Sequence, residues 1–126
     1  MSITLDHTVF GSSDNEAAAK RFAGIMGLER GEREGVDGKF VAVRVNETLR
    51  LFFVTSDKVM GQHLAFVVND ATFDGILGRL RQMGVTYGNS PRDPANGRTD
   101  HPLASRGLFW TDPDGHLFEV MTGPRT

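Results

Sequence analysis

The sequence predicts an α+β fold in which a single domain contains two similar halves. Each half begins with a strand, continues with a helix and ends with a pair of strands. The same landmarks recur at one spacing, since His63 follows His7 by 56 positions and the predicted helix start Asp70 follows Asp14 by 56 positions. The length of 126 residues suits one domain and is too short for two independent ones. We therefore expect one supersecondary unit that occurs twice.

Residue periodicity, together with capping and turn-forming residues, predicts the elements of the first half. Alternation with β-branched residues favours a strand, a capping box followed by an apolar stripe favours a helix, and a short polar connection between two apolar runs favours a hairpin. We predict a first strand at 3–10 that ends at Gly11-Ser12-Ser13. A helix follows from the capping box Ser13-Asp14-Asn15-Glu16 to Gly27, with its apolar stripe at Ala18, Phe22, Ile25 and Met26. Two strands at 39–45 and 48–55, joined at Asn46-Glu47, complete the first half.

The second half repeats this order with one insertion. We predict a strand at 62–68, a helix from the N-cap Asp70 to Gly84 with its stripe at Phe73, Ile76, Leu77, Leu80 and Met83, and strands at 107–111 and 116–121 across the turn Asp112-Pro113-Asp114-Gly115. Val120 follows Val54 by 66 positions, so about ten extra residues precede the second hairpin. The predicted modules are 1–56 and 61–123, and both lie in a single domain, 1–126.

The extra residues form a long loop at about 89–106, and its irregular part, 90–106, mixes proline, arginine and acidic residues without a period. A structureless segment of this length in a small domain is usually a functional loop or a disordered one. Of these two, we expect a functional loop that acts as a lid.

Composition excludes several function classes. Fourteen basic and sixteen acidic residues give a net charge of −2, which does not indicate nucleic-acid binding. No cysteine is present, so disulfides, thiol catalysis and cysteine zinc modules are excluded. The amino terminus does not resemble a secretory signal, and the apolar runs are far too short to span a membrane. We expect a cytoplasmic protein that has neither a nucleic-acid nor a membrane partner.

With four histidines and no cysteine, a metal site is limited to imidazole and carboxylate ligands. His7 and His63 are equivalent in the repeat, and Glu119 stands in an apolar strand where an unpaired carboxylate costs several kcal/mol. Two imidazoles and one carboxylate form the open ligand set of Fe(II), Mn(II) or Zn(II). The alternative is a metal-free buried polar cluster. The 66-residue offset makes Phe53, which cannot ligate, the equivalent of Glu119.

Three segments resemble the vicinal oxygen chelate superfamily, which includes glyoxalase I, extradiol dioxygenases, fosfomycin-resistance enzymes and bleomycin-binding proteins. They are Leu5-Asp6-His7, Gln62-His63-Leu64-Ala65-Phe66 and Phe109-Trp110-Thr111-Asp112-Pro113-Asp114-Gly115-His116-Leu117-Phe118-Glu119. The resemblance covers essentially the whole chain. It implies two βαβββ modules in tandem, with sheets curved around a central metal or ligand cleft, with His7, His63 and Glu119 as ligands, and a homodimer. Phe53 stands where glyoxalase I has a fourth ligand, a glutamate, which argues against that activity.

His101 is the candidate catalytic residue. Its spacing to Phe109 and to Asp112-Pro113-Asp114-Gly115 resembles the extradiol signature, in which a tyrosine stands where this chain has Phe109. His101 is expected to act as an acid or base if the loop brings it to the substrate, and the alternative is a solvated loop residue. His116 is three residues from Glu119, so strand alternation aims it at the opposite face and predicts a structural or exposed role.

The resemblance implies a divalent-metal-dependent enzyme, most similar to an extradiol dioxygenase, that chelates two adjacent oxygens of a small-molecule substrate. Fe(II) or Mn(II) is the favoured metal, with Zn(II) or Ni(II) as alternatives. Two other functions stay open. One is a lyase or transferase of the glyoxalase or fosfomycin-resistance kind, and the other is a metal-free, bleomycin-type drug-binding protein.

Overall fold

The computed structural model describes residues 2–123, which divide into two compact units, one ending at Met60 and the other beginning at Gly61. Each unit contains one sheet with one helix packed against it. The predicted α+β class and its tandem strand–helix–strand modules are confirmed. Among residues 2–123, the helices are too short or too polar to cross a membrane.

The first unit contains the complete βαβββ module. Its elements are β1 (His7–Ser12), α1 (Asn15–Met26), β2 (Arg30–Glu34), a 3-10 turn (Val36–Gly38), β3 (Phe40–Arg44) and β4 (Arg50–Thr55). The strand order in the sheet is β1-β4-β3-β2. The β1 and β4 strands run parallel, and the remaining neighbours are antiparallel. The crossover from β1 through α1 therefore returns the chain to the same sheet, as parallel pairing requires.

The second unit has the same order but a shorter sheet. Its elements are β5 (His63–Val67), α2 (Asp70–Gln82), β6 (Arg106–Thr111) and β7 (Leu117–Thr122), with strand order β5-β7-β6. Where the first unit has β2, the second has an isolated antiparallel bridge between Gly88 and Phe109. Two backbone hydrogen bonds hold that bridge, at 3.0 and 2.7 Å. In the second unit, the strand equivalent to β2 is thus reduced to one bridge.

Both helices begin with a side-chain cap, one residue away from its predicted position in each case. Asp14, not Ser13, caps α1 and accepts a hydrogen bond from Ala17 N. Asn69, not Asp70, caps α2 and accepts from Thr72 N. Acidic and amide side chains bind the free N–H groups of the first turn equally well, so neighbouring polar residues compete for the cap. The left-handed end of α1 at Gly27 (φ 74°) is confirmed.

The edge strand β2 is absent from the sequence prediction. Its residues are Arg-Gly-Glu-Arg-Glu, with no apolar alternation. Charged residues protect a sheet edge from pairing with other chains. Because they replace apolar residues, the strand lacks the apolar alternation by which strands are recognised in a sequence. Its pairing with β3 also shifts register between Arg30 and Arg33, and an extra Cβ at Gly31 would meet the carbonyl oxygen of Ala42 at 2.8 Å.

Most strand limits differ from prediction by one residue, and the larger differences lie at the first strand and at the first hairpin. The first strand runs over His7–Ser12 rather than 3–10, because Gly11 and Ser12 continue the pairing with β4 instead of ending it. The predicted hairpin between β3 and β4 is confirmed, with a longer connection of residues 45–49. In that connection the Asn46 side-chain oxygen accepts from the backbone N–H groups of Thr48 and Leu49.

The long loop lacks helix or strand between residues 90 and 105 but is tied down by hydrogen bonds. Asp100 forms a parallel bridge with Gly107, whose N–H donates to Thr99 O at 2.8 Å. Gly97 N donates to Tyr87 O at 2.7 Å. The predicted loop therefore has no helix or strand of its own, and its turns bond back to the body of the second unit. Its function as a lid stays a prediction.

Side chains alternate between two faces in each sheet. In the first unit one face packs on α1, where Phe53 lies against Phe10 and Phe22 with ring centroids 5.6 and 6.0 Å apart. The opposite face carries His7 and Phe52. The sheet face away from the helix is the one that carries polar chemistry in both units.

Candidate functional site

A buried carboxylate lies at the centre of the second unit's sheet, on the face away from α2. Glu119 on β7 is fully buried and pairs in register with Ala65 on β5 and Phe109 on β6. His63 pairs with the residue two positions earlier on β7, so its side chain is a diagonal neighbour on the same face. The Nε2–H of His63 donates to Oε1 of Glu119 at 3.1 Å.

A second imidazole faces the other oxygen of the same carboxylate. His101 Nε2 lies 4.0 Å from Glu119 Oε2. The ring is 8% exposed and meets Phe109 edge to face with centroids 5.0 Å apart. The solvated alternative for His101 is wrong, because its loop folds onto β6. Gly107 makes this approach possible, since a Cβ there would lie 2.8 Å from the Cβ of His101.

One hydrogen bond fixes which nitrogen of His101 carries a proton when the ring is neutral. Nδ1 lies 2.9 Å from the backbone oxygen of Asn89, and a carbonyl oxygen only accepts, so Nδ1–H is the donor. Nε2 is then left with its lone pair, and among the described residues it has no hydrogen-bond partner. A buried, unpartnered nitrogen beside a carboxylate is suited to accept a proton from a bound molecule.

A polar network in the loop holds the peptide that anchors His101. Asn89 donates through Nδ2 to Asp100 Oδ1 at 2.8 Å and exchanges two hydrogen bonds with Asn96. Arg98 binds both oxygens of Asp100. The hydrogen bonds from Arg98 and Asn89 lower the pKa of Asp100 to about 2 from the usual 3.8. Asn89 was not predicted from sequence, because its contribution is a backbone oxygen that every residue possesses.

In the first unit, His7 is held by a carboxylate and an aromatic ring. Its Nδ1–H donates to Asp6 Oδ2 at 2.7 Å, and its ring stacks on Phe52 with centroids 4.6 Å apart and planes at 19°. The hydrogen bond from His7 and that from Arg50 lower the pKa of Asp6. With Nδ1 occupied, Nε2 is the nitrogen of His7 available to a ligand.

The strand register corrects the repeat equivalent of Glu119. His7 pairs with Arg50 and His63 with Leu117, so β4 and β7 correspond at an offset of 67 rather than 66. Glu119 therefore corresponds to Phe52, not Phe53. The prediction of Phe53 was wrong because apolar residues flank both positions and sequence alignment slipped by one. Phe53 faces α1 and lies on the other face of the sheet from His7.

His116 lies apart from this group. It is fully buried, and its Nδ1 accepts a hydrogen bond from the backbone N–H of Gln62 at 3.0 Å. This contact ties the start of β5 to the turn before β7. Of its two predicted roles, structural or exposed, the structure shows the structural one.

The chemistry of these residues suits a divalent transition metal. Within either unit, over residues 2–123, no three His, Asp or Glu side chains lie close enough together to hold an ion by themselves. In the second unit, His63 and Glu119 place an imidazole nitrogen beside the oxygens of a buried carboxylate, and in the first unit His7 has the equivalent strand position. Imidazole nitrogen and carboxylate oxygen are donors that fit Fe(II), Mn(II) or Zn(II).

Comparison with known proteins shows the family. The profile of the Glyoxalase/Bleomycin resistance protein/Dioxygenase superfamily matches residues 4–120. Among solved structures, Oxidase ChaP-H2 superposes with a TM-score of 0.90 at 34% identity, covering 99% of this chain and 97% of that one. Oxidase ChaP-H1 superposes with a TM-score of 0.88 at 35% identity, covering 98% of each chain.

Two curated proteins are similar in sequence. Metallothiol transferase FosB of Lysinibacillus sphaericus is 25% identical over 95% of this chain and 82% of its own length. Fosfomycin resistance protein FosX of Mesorhizobium japonicum is 33% identical over 51% of this chain and 41% of its own length. The match of the superfamily profile to nearly the whole sequence, together with the paired modules, shows that this chain belongs to the Glyoxalase/Bleomycin resistance protein/Dioxygenase superfamily.

Proposed function

We propose that this protein is a metal-dependent enzyme that oxidises a small molecule with two adjacent oxygen atoms, using dioxygen. The observation that carries the proposal is Glu119, a fully buried carboxylate with an imidazole at each of its oxygens. Similarity to two oxidases over nearly the whole chain, at 34% and 35% identity, supports oxidation over the other chemistries of the family.

The metal ligands in this proposal are His7, His63 and Glu119. A bound Fe(II) or Mn(II) would polarise both substrate oxygens and supply the redox chemistry through which the diol is oxidised by dioxygen, whereas the alternatives Zn(II) or Ni(II) would act as Lewis acids. The protein residues fix the donors. Asp6 holds Nδ1 of His7, and β7 holds Glu119 two residues along from the partner of His63. Three protein ligands leave positions open for substrate.

His101 is the proposed acid–base residue. Its Nδ1–H is engaged by Asn89 O, so Nε2 can take the proton of a substrate hydroxyl and later return it to the product. Phe109, at the tyrosine position of the extradiol signature, contacts both His63 and His101 through its ring but has no hydroxyl. His101 is therefore the proton-transfer group that this face of the second unit offers beside Glu119.

Extradiol ring opening is the specific reaction we propose. Both atoms of one dioxygen enter the product and the ring carbon–carbon bond beside the diol breaks, so the overall reaction consumes no separate reductant. The proton that His101 would hold is that of a substrate hydroxyl.

Metal binding and oxygen consumption test the proposal in two steps. Metal-free wild type and the variants His7→Ala, His63→Ala and Glu119→Gln are titrated with Mn(II) and Fe(II), with Glu47→Gln in the exposed β3–β4 connection as the matched carboxylate control. We expect wild type and the control to bind one ion and the three site variants to bind at least tenfold more weakly. Equal affinity in all five proteins would refute the ligand set, and no binding by any of them would refute it and favour a metal-free, bleomycin-type binding protein.

The reaction is tested with the Fe(II)-loaded protein, a panel of catechols and an oxygen electrode. We expect oxygen uptake with a yellow ring-opened product, and a loss of about 10²–10⁴-fold in kcat for His101→Gln. Metal binding without oxygen uptake on any catechol would refute extradiol cleavage.

A metal-assisted transferase is the second candidate function, favoured by the similarity to FosB over 95% of the chain. It predicts fosfomycin- and thiol-dependent product formation by the Mn(II)-loaded protein, which the oxidase proposal does not.

We also propose a homodimer, and a single monomeric species in sedimentation would refute it.

A further inference from the structure

The residue before His7 is an acid whose side chain contacts the imidazole. Asp6 Oδ2 lies 2.7 Å from His7 Nδ1, a short distance for a hydrogen bond between an imidazole N–H and a carboxylate. The His7 side chain is 45% exposed, so water competes for the ring. Free imidazole in water exchanges its proton between both nitrogens, and a carboxylate at Nδ1 selects the form whose Nε2 is bare.

Asp6 is itself held in place by a second ion pair. Arg50 donates to Asp6 Oδ2 at 3.2 Å and to Glu34 Oε1 at 2.6 Å. Its guanidinium also lies over the ring of Phe52, 5.1 Å from the centroid, and its side chain is only 24% exposed. A guanidinium held by two carboxylates and a ring has little freedom, so it restricts the carboxylate that faces His7.

The ring of His7 is oriented by stacking as well as by hydrogen bonding. Phe52 lies 4.6 Å from it, at the register position that Glu119 occupies in the second unit. Stacking sets the plane of the imidazole, and the Asp6 hydrogen bond sets its rotation within that plane. Together they determine the direction of Nε2.

The second unit shows that the fold does not need this arrangement. The positions equivalent to Asp6 and Arg50 are Gln62 and Leu117, and β5 pairs with β7 in the same parallel register as β1 with β4. Strand pairing therefore forms without the ion pairs, which indicates that they serve His7 rather than the sheet.

We propose that Asp6 is a positioning residue that holds His7 with Nδ1 protonated and Nε2 bare, ready to bind the metal, and that Arg50 and Glu34 hold Asp6 for this purpose. The inference rests on the proposed function, because it assumes that His7 is a ligand. Carboxylates that bind the outer nitrogen of a ligand histidine orient the ring and raise its basicity, and their loss typically weakens metal binding about 10–100-fold.

The test measures Mn(II) affinity and the protonation of His7 in the same set of proteins. Metal-free wild type, Asp6→Asn, Asp6→Ala and His7→Ala are titrated with Mn(II), with Asp57→Asn as the control that removes an exposed acid elsewhere in the first unit. Nitrogen-15 NMR of the neutral His7 ring reports which nitrogen carries the proton. We expect about tenfold weaker Mn(II) binding for both Asp6 variants and a shift of His7 toward the Nε2–H form, with unchanged urea midpoints.

The outcomes separate this inference from the proposed function. If His7→Ala binds Mn(II) as tightly as wild type, the ligand role of His7 is refuted, and the role of Asp6 with it. If His7→Ala weakens binding while both Asp6 variants match wild type, only the positioning role is refuted. If Asp6→Asn and Asp57→Asn weaken binding equally, the effect is one of net charge, which also refutes positioning.

Discussion

The buried carboxylate at the centre of the second sheet is predicted to cost stability in the metal-free protein. Glu119 is fully buried, and replacing a buried ion pair by an apolar side chain of similar size is often neutral or stabilising by about 1–4 kcal/mol. In Glu119→Met, His63 is 47% exposed and regains water, and His101 Nε2, 4.0 Å from the carboxylate, has no hydrogen bond to lose, so the penalty for a stranded buried charge is small. A thioether beside the ring of Phe109 also packs favourably. We expect a gain of about 1–2 kcal/mol.

Urea unfolding measures this change directly. Trp110 is the single tryptophan and is fully buried, so its fluorescence reports the unfolding of the second unit. Adding Mn(II) at 100 times its Kd is expected to stabilise wild type by about 2.7 kcal/mol and to leave Glu119→Met unchanged. The order of stability is therefore expected to reverse when metal is added.

Two results would refute this reasoning. A metal-free variant less stable than wild type by more than about 1 kcal/mol would mean that Glu119 supports the fold rather than a ligand. Equal stabilisation of both proteins by Mn(II) would mean that Glu119 is outside the metal site. Glu119→Gln is the matched control, because it keeps the size and polarity of the side chain and removes the charge.

Two further predictions concern the close approach of His101 to Gly107 and the loop that holds His101. Gly107→Ala is expected to lose about 1–3 kcal/mol, because the new Cβ would lie 2.8 Å from the Cβ of His101, whereas Gly78→Ala in α2, with open space around it, is expected to gain about 0.5–1 kcal/mol. Both values come from urea unfolding, and equal effects would contradict the close approach. Asp100 has a folded-state pKa of about 2, lowered from 3.8 by Arg98 and Asn89, so its contribution to stability is present above pH 3.8 and is lost as the pH falls toward 2. The urea midpoints of wild type and Asp100→Asn should therefore converge over that interval, and parallel curves would contradict it.

Sequence periodicity was informative where burial is one-sided. The stripe of α2, the first strand of each unit and the hairpins follow from apolar spacing, because each buries one face against a core. The edge strand β2 buries little, so its charged residues left no signal. Helix caps were misplaced by one residue because Ser13 and Asp14, or Asn69 and Asp70, are chemically interchangeable there.

The sequence predicts which residues form the candidate site, but it does not predict the contacts that hold those residues in place. A carboxylate in an apolar strand requires a partner, and the structure places His63 beside Glu119. The anchor of His101 is a backbone oxygen, which leaves no trace in the sequence. Likewise, Phe52 and Phe53 cannot be told apart by pattern, since only strand register shows which of them shares a sheet face with His7.

The two strand histidines each contact one carboxylate, but at different ring nitrogens. Glu119 contacts Nε2 of His63, whereas Asp6 contacts Nδ1 of His7. A carboxylate at the ligating nitrogen can share an ion with that imidazole, and one at the other nitrogen can only orient it. In the first unit the register position of Glu119 holds Phe52, which stacks on the ring instead of ligating. If both histidines are ligands, as proposed, the residues that face them across the parallel strands supply one acidic ligand, Glu119, and leave Asp6 to orient His7.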